Sequence, residues 1–185
     1  MDGTLTLAVH DFDAIRAELG LPPGQPILEQ LAAMGPDAAA PIEKRLNEIE
    51  LELSYQARPA PGATELLNEL RDGGVAPGIV TRNNRENVRA TLSAAGIVDF
   101  FQEANIITRD DAPPKPDPEG IQRLLRSWKA DPADAIMIGD FRFDLEAGRA
   151  AGTATAYVDP AGQFPFRATA DICVRELHEL RRHAG

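Results

Sequence analysis

Basic residues are scarce in this chain, and their scarcity excludes one class of partner at the outset. There are 19 Lys and Arg against 29 Asp and Glu, a formal net charge of -10 with a pI near 4.8. A protein that grips a phosphate backbone needs basic patches to displace counterions, so nucleic acid is not an expected partner. Cysteine is nearly absent. The single Cys173 excludes an intrachain disulfide, and inside the apolar run Ile172-Cys173-Val174 it reads as a buried structural thiol rather than a reactive one. There is no charged-then-apolar leader and no apolar run long enough to cross a bilayer, so no membrane partner is expected and the cytoplasm is the default compartment. What remains is a chain of 185 residues, 43% hydrophobic, enough for one domain with a real core plus a small insertion.

Residues 11–57 read as helix upon helix. A short helix over Asp11–Leu19 is capped by Asp11 and stopped by Gly20 and Pro22-Pro23, and a second runs from about Pro26 to Met34. The third is the clearest: Ile42, Leu46, Ile49 and Leu53 form one apolar stripe, while Glu43, Lys44, Arg45, Glu48, Glu50 and Glu52 read as a solvated surface. Pro59-Ala60-Pro61-Gly62 breaks this pattern, and alternating helix and strand follow. A helix over 63–72 ends at Gly73-Gly74. Strands are predicted at Val75–Val80, Ala104–Ile107, Ala135–Ile138, Thr153–Val158 and Ile172–Val174, with intervening helices carrying Val88, Leu92 and Ala95, then Ile121, Leu124, Leu125 and Trp128, of which Trp128 reads as core. A further helix reaches Ala151 and a last one spans about Arg175–Arg182.

Strands separated by helices in this way predict an α/β fold, a doubly wound parallel sheet with a small α-helical cap over 11–58 and a core made of 1–10 and 59–185. In such sheets ligands bind beyond the carboxyl ends of the strands, which here carry Thr81, the loop of Lys115, and Asp140 with Asp144. Asp2, followed at once by Gly3-Thr4, joins them if a strand precedes Met1; glycine there lets the backbone approach an anion closely. Singly, each has an ordinary reading: Thr81 as a helix cap, Lys115 as a surface lysine, Asp140 and Asp144 as an N-cap and a first-turn acid. Together they are three carboxylates, a hydroxyl and an ammonium in one crevice. Two carboxylates about 4 Å apart repel by roughly 4 kcal/mol at an effective dielectric near 20, so a hard cation is expected among them. All-oxygen ligands with places left for water suit Mg²⁺. The set is a kit for phosphoryl transfer.

Asp2-Gly3-Thr4-Leu5-Thr6, the strand ending at Thr81, Lys115 before Pro116-Asp117-Pro118, and Gly139-Asp140-Phe141-Arg142-Phe143-Asp144 resemble, in order, the four motifs of the haloacid dehalogenase superfamily. The helical segment 11–57 resembles the small cap of its phosphoglycolate phosphatase-like branch. The resemblance implies a Mg²⁺-dependent phosphatase that forms an aspartyl-phosphate and hydrolyses a small phosphorylated metabolite. Asp2 then matches the general acid/base, whose backbone carbonyl binds the metal; Thr81 holds the transferring phosphoryl group, and Lys115 steadies the nucleophile and phosphate. Asp140 is the direct metal ligand and Asp144 supports it. Arg82 and Asn83 follow the second motif closely enough to touch substrate, or else start the next helix.

The family's nucleophile is an aspartate two residues before the general acid, which falls directly before Met1. The expectation is a start assigned inside an Asp-Met-Asp-Gly-Thr motif, with the nucleophile and first strand upstream. In the family that strand sits between those leading to Thr81 and Asp140, so without it a gap of nearly 10 Å between backbones is expected. A catalytically inactive phosphate-binding or regulatory protein is the alternative. Asp11-Phe12-Asp13 is a weaker substitute for the nucleophile pair, because Ala14-Ile15 replaces Gly-Thr and the pair reads as a helix start. A phospho-receiver domain shares the chemistry but orders its motifs differently, with the acidic pair first. The cap residues His10, Glu18, Arg45, Tyr55 and Gln56 are candidates for substrate selection, each read rather as surface or packing. Neither the substrate nor the oligomeric state is legible.

Overall fold

The computed structural model describes residues 1–183; the last two positions of the expected core segment, 184 and 185, lie outside it. Three helices come first: α1 (Phe12–Glu18), α2 (Ile27–Met34) and α3 (Pro36–Ser54). Asp11 caps α1, its carboxylate accepting from the N–H groups of Asp13 and Ala14, as the sequence predicts. The three helices close over their own core of Ile15, Leu31, Leu46 and Ile49. The rest alternates: α4 (Ala63–Asp72), β1 (Ile79–Val80), α5 (Arg85–Ala94), β2 (Ile106–Ile107), α6 (Glu119–Trp128), β3 (Ile136–Gly139), α7 (Arg142–Ala151), β4 (Ala154–Val158), β5 (Ile172–Val174) and a final 3₁₀ turn, Leu177–His183. No described helix is long and apolar enough to cross a membrane.

All pairings in the ladders are parallel, but the sheet is in two pieces. β1 pairs with β2, and β3, β4 and β5 form a second set in that order. β1 and β3, which lead to Thr81 and Asp140, do not pair with each other. Met1–Thr6 lies with them as a tight turn: the N–H groups of Thr4, Leu5 and Thr6 all donate to the Met1 carbonyl at 2.8–3.2 Å. Its Leu5 packs against both the cluster around Leu67, Val88 and Leu92 and the cluster around Ala156, Val158 and Val174.

Several expected elements are corrected. The strand predicted from Val75 shrinks to two residues, because Pro77 has no N–H to give a ladder and Gly78 is pressed against the indole of Trp128 and against Leu124. Residues 103–105 are a 3₁₀ turn rather than the start of β2, and the final helix is 3₁₀. Trp128 is only partly buried, its indole N–H donating to Asn105 Oδ1 at 3.0 Å, and Cys173 is likewise only half-buried. Glu50 is the largest departure: it is buried, not solvated.

The core around Leu92, which is fully buried, sets the seating of α5 behind Thr81. Leu92→Ala removes packing with no room for collapse, so urea denaturation of the variant is expected to show a loss of about 2–5 kcal/mol.

Candidate active site

A cavity of 460 Å³ opens where the strand ends of the core face the helical cap, and its wall includes Asp2, Thr81, Lys115, Asp140 and Asp144. The five residues singled out from the sequence therefore line one space, though they span 143 positions of chain.

Lys115 is buried in the Pro-rich loop. Its ammonium donates to the Val80 carbonyl at 2.7 Å and to Asp144 Oδ1 at 2.5 Å. Asp144 sits one turn into α7, and its second oxygen accepts from the N–H of Phe141, the residue that precedes the helix. Burial works to raise the Asp144 pKa, but the Lys115 charge and these hydrogen bonds outweigh it and hold the group below the ordinary carboxylate value. Asp140 shows the opposite balance. Its Oδ1 accepts from the Thr4 hydroxyl at 2.7 Å, but burial first, and the charge of Asp144 second, push its pKa upward.

Gly3 has φ +74°, and a Cβ there would stand 2.3 Å from Asp140 Oδ2. The anion that the Gly3 backbone approaches is thus Asp140, and only glycine fits. Asp2, one residue earlier, accepts from the Asn83 amide at 2.8 Å and, at a longer 3.4 Å, from the Thr6 hydroxyl. Asn83 therefore holds the first loop rather than standing free. The Thr81 hydroxyl accepts from the Asn83 backbone N–H at 3.2 Å and lines the cavity; it does not cap α5, whose N-cap is Asn84, the Asn84 side chain accepting from the Asn87 N–H.

Arg82 is committed elsewhere. It donates to both oxygens of Glu29 on α2, at 2.8 and 2.6 Å, and to the Lys115 carbonyl, with its guanidinium 4.8 Å from the centre of the Phe143 ring. A second bond between cap and core joins Glu50 of α3 to Arg109 at 3.3 Å, both nearly solvent-free, with Asn87 donating to the same Glu50 oxygen at 3.1 Å. Arg109 also donates to Asn47 and to the Arg82 carbonyl. Burial raises the Glu50 pKa and Arg109 works to lower it, the first effect being larger.

Sequence reasoning missed Glu29, Glu50 and Arg109. Glu50 lies four residues after Leu46, on the buried stripe of α3, and that spacing was the available signal. Of the cap residues considered, His10 lines the cavity and Glu18 pairs with Arg45 at the surface. Tyr55 and Gln56 are exposed. Asp11 and Asp13 are taken up at the start of α1 and do not line the cavity.

Among the described residues, no three His, Cys, Asp or Glu side chains group closely enough to hold a metal by themselves. Mg²⁺ asks less: one or two carboxylates, with water and substrate completing its shell. Asp140, half-buried beside a second carboxylate and with one oxygen not engaged by Thr4, fits that demand.

Residues 13–158 match the family model described as haloacid dehalogenase-like hydrolase, a stretch that contains Thr81, Lys115, Asp140 and Asp144. The chain belongs to that family. Among curated relatives, it is 44% identical to the pyrophosphatase PpaX of Bacillus velezensis over 95 residues, 51% of this chain but only 43% of the relative. The chain thus spans less than half the length of that protein. It is 29% identical to the N-acetylmuramic acid 6-phosphate phosphatase of Pseudomonas putida over 98% of this chain and 92% of the relative. Of solved structures, a hydrolase from Pseudomonas syringae superposes with a TM-score of 0.80 at 23% identity, covering 98% of this chain and 93% of that one. CbbY from Rhodobacter sphaeroides, in complex with phosphate, gives 0.73 at 20% identity over 97% and 93%. At these identities the likeness is one of fold, the α/β architecture of haloacid dehalogenase-like hydrolases.

Two variants test this electrostatic framework by stability alone. Lys115→Met leaves the Asp144 carboxylate buried and unpaired, and urea denaturation at neutral pH is expected to show a loss of about 3–5 kcal/mol. Arg109→Met does the same to Glu50. Because Glu50 has a folded-state pKa above its ordinary 4.5, and losing Arg109 raises it further, the penalty is greatest at neutral pH. It should shrink as the pH falls towards that value and Glu50 takes up a proton. A deficit for Arg109→Met that stays constant between pH 7 and pH 5 contradicts the assignment.

Proposed function

We propose that the protein is a Mg²⁺-dependent phosphatase that hydrolyses a small-molecule phosphate monoester through an aspartyl-phosphate. The observation that carries this reading is the lining of one cavity by Asp2, Thr81, Lys115, Asp140 and Asp144. The phosphate ester named for the relative matched over nearly its full length, N-acetylmuramic acid 6-phosphate, supports it.

Asp140 would hold the metal together with the Asp2 backbone carbonyl, and Asp144 would support it from behind. Bound there, Mg²⁺ supplies positive charge against the buried acids and the phosphoryl oxygens. The protein's own groups do the rest. Thr81 donates its hydroxyl to a phosphoryl oxygen while accepting from the Asn83 N–H, which fixes where its oxygen sits. Lys115 adds a cation whose position is set by Val80 and Asp144. Asp2, steadied by Asn83, gives a proton to the leaving oxygen and then takes one from the attacking water. The nucleophile in this reading is an aspartate, and its carboxylate divides one hard displacement into two easier ones.

The test uses a form extended upstream of Met1 through that aspartate and strand, assayed for phosphate release from p-nitrophenyl phosphate. EDTA is expected to abolish release and added Mg²⁺ to restore it. Asp2→Asn should lower turnover by about 10²–10⁴-fold, the usual scale for a general acid/base, and Asp140→Asn should weaken the response to Mg²⁺. Full activity in both variants overturns the reading.

A further inference from the structure

We propose that Phe141 and Phe12 form a stacking surface for the leaving group, so that the ester taken carries a flat, conjugated ring. This rests on the phosphatase reading for the phosphate end of the ligand. It starts from where the chain leaves aromatic surface open to water. Phe12 is 52% and Phe141 44% exposed, and both line the cavity, the first from the start of the cap and the second directly after Asp140. A lone exposed apolar residue is ordinary, but two phenylalanines open to one cavity that also carries the charged groups of the site mark a surface that a ligand covers.

The ring of Phe141 is fixed before any ligand arrives. It meets Phe143 edge to face, with centroids 5.1 Å apart and planes at 75°, and Phe166 likewise at 5.3 Å and 79°. Contacts of this geometry hold a ring in place, so little freedom is lost when something lies against its open surface. Phe143 is already taken: the guanidinium groups of Arg82 and Arg142 stand over it at 4.8 and 4.9 Å. Arg142 is exposed, lines the cavity and lies 6.0 Å from the centre of the Phe141 ring, so its planar head continues the surface beside that ring. Guanidinium planes stack on conjugated groups as aromatic side chains do. On the cap side, Phe12 is stacked on His10 at 5.5 Å with planes 13° from parallel, and the rest of its ring is open.

The charges of the wall argue against a leaving group recognised mainly through hydroxyls. Lys115 is engaged by Asp144, Arg109 by Glu50, Arg82 by Glu29 and Arg16 by Asp13. Each hydroxyl taken out of water needs a partner, whereas the cap side offers Phe12, Ile27, Leu28 and Leu46. A flat ring buries apolar area there and asks for few hydrogen bonds. The cavity of 460 Å³ lies within the range of pockets that hold ligands much larger than phosphate, which leaves room for such a leaving group.

Three phosphate esters test this by calorimetric binding to the 185-residue chain in the presence of Mg²⁺. Adenosine 5′-monophosphate and pyridoxine 5′-phosphate carry unrelated conjugated rings, and ribose 5-phosphate carries none. At least one ring-bearing ester is expected to bind about tenfold or more tightly than ribose 5-phosphate, the scale of one base stacked on an aromatic side chain. Which of the two does so tells whether the ring is a nucleobase or a smaller heterocycle. Phe141→Leu, which keeps apolar bulk and removes the π-face, should bring the ratio to near one; Phe141→Trp should keep it, and Phe12→Leu should lower it in part. Both positions are exposed, so these variants should unfold in urea as the unmodified chain does. Equal binding of all three esters, binding of none, or a preference that survives Phe141→Leu and Phe12→Leu combined overturns the proposal. The phosphatase reading is decided separately, by phosphate release from p-nitrophenyl phosphate.

Discussion

The ammonium of Lys115 ties together two halves that the hydrogen-bond ladders leave apart. It is bound at once to the carbonyl of Val80, the last residue of β1, and to Asp144, which follows β3 in the second piece of sheet. No ladder joins β1 to β3, so the break is bridged by side chains: this buried cation, Leu5 wedged between two apolar clusters, and the cluster of Ile121, Leu125, Ala147 and Ala151 that takes in Val80 and Met137. A buried ion pair is a poor source of net stability, since desolvation opposes its attraction, but it is a strict constraint on geometry. The pair also sorts the acids of the site. Asp144 has its cation and is held ionised, whereas Asp140 is left as the carboxylate whose charge is least compensated.

The same economy of groups governs the seating of the cap. Residues directly after β1 serve the site and the interface together: Thr81 and Asn83 face the cavity, while Arg82 between them reaches across to Glu29 of α2. Arg109 repeats the pattern, joining α3 through Glu50 and Asn47 while donating to the Arg82 carbonyl. Two of the polar links between cap and core thus end on Arg82, one residue from Thr81. A change in the cap therefore reaches Thr81 through the backbone of its neighbour.

How much of this was legible in the sequence follows from the range of the interactions involved. Helix α4 was read at about 63–72, where it lies, because its stripe of Leu66, Leu67 and Leu70 and its terminal glycines are local signals. β1 and β2 were overestimated: a short apolar run does not say how many of its N–H groups find partners, and Pro77 cost the first strand most of its length. Thr81 and Asp140 were singled out because they stand directly after strands, and Lys115 and Asp144 because they lie in the loop and helix that follow strands, a rule of topology rather than of contact. Their partners were not. That Asn83 would hold Asp2, or that Arg82 would turn towards Glu29, depends on residues 81 and 53 positions distant. Glu50 was misread because a charge on a helix is assigned to solvent by default, although its place on the Leu46 face marked it as buried.

Charge alone would drive the acids of this site apart, so their closeness has a steric cause. Asp140 is pressed against Gly3, and Asp144 against Gly139, where a Cβ would meet its carboxyl carbon at 2.2 Å. Each carboxylate occupies the volume that any other residue's first side-chain carbon would take. The acids are brought together by backbone that lacks a side chain, and Lys115 with the hydroxyl of Thr4 then partly neutralises them. Electrostatics follows from that packing rather than producing it. The glycines of the first and fourth motifs therefore have the same task, letting backbone close on a carboxylate, Gly3 on Asp140 and Gly139 on Asp144.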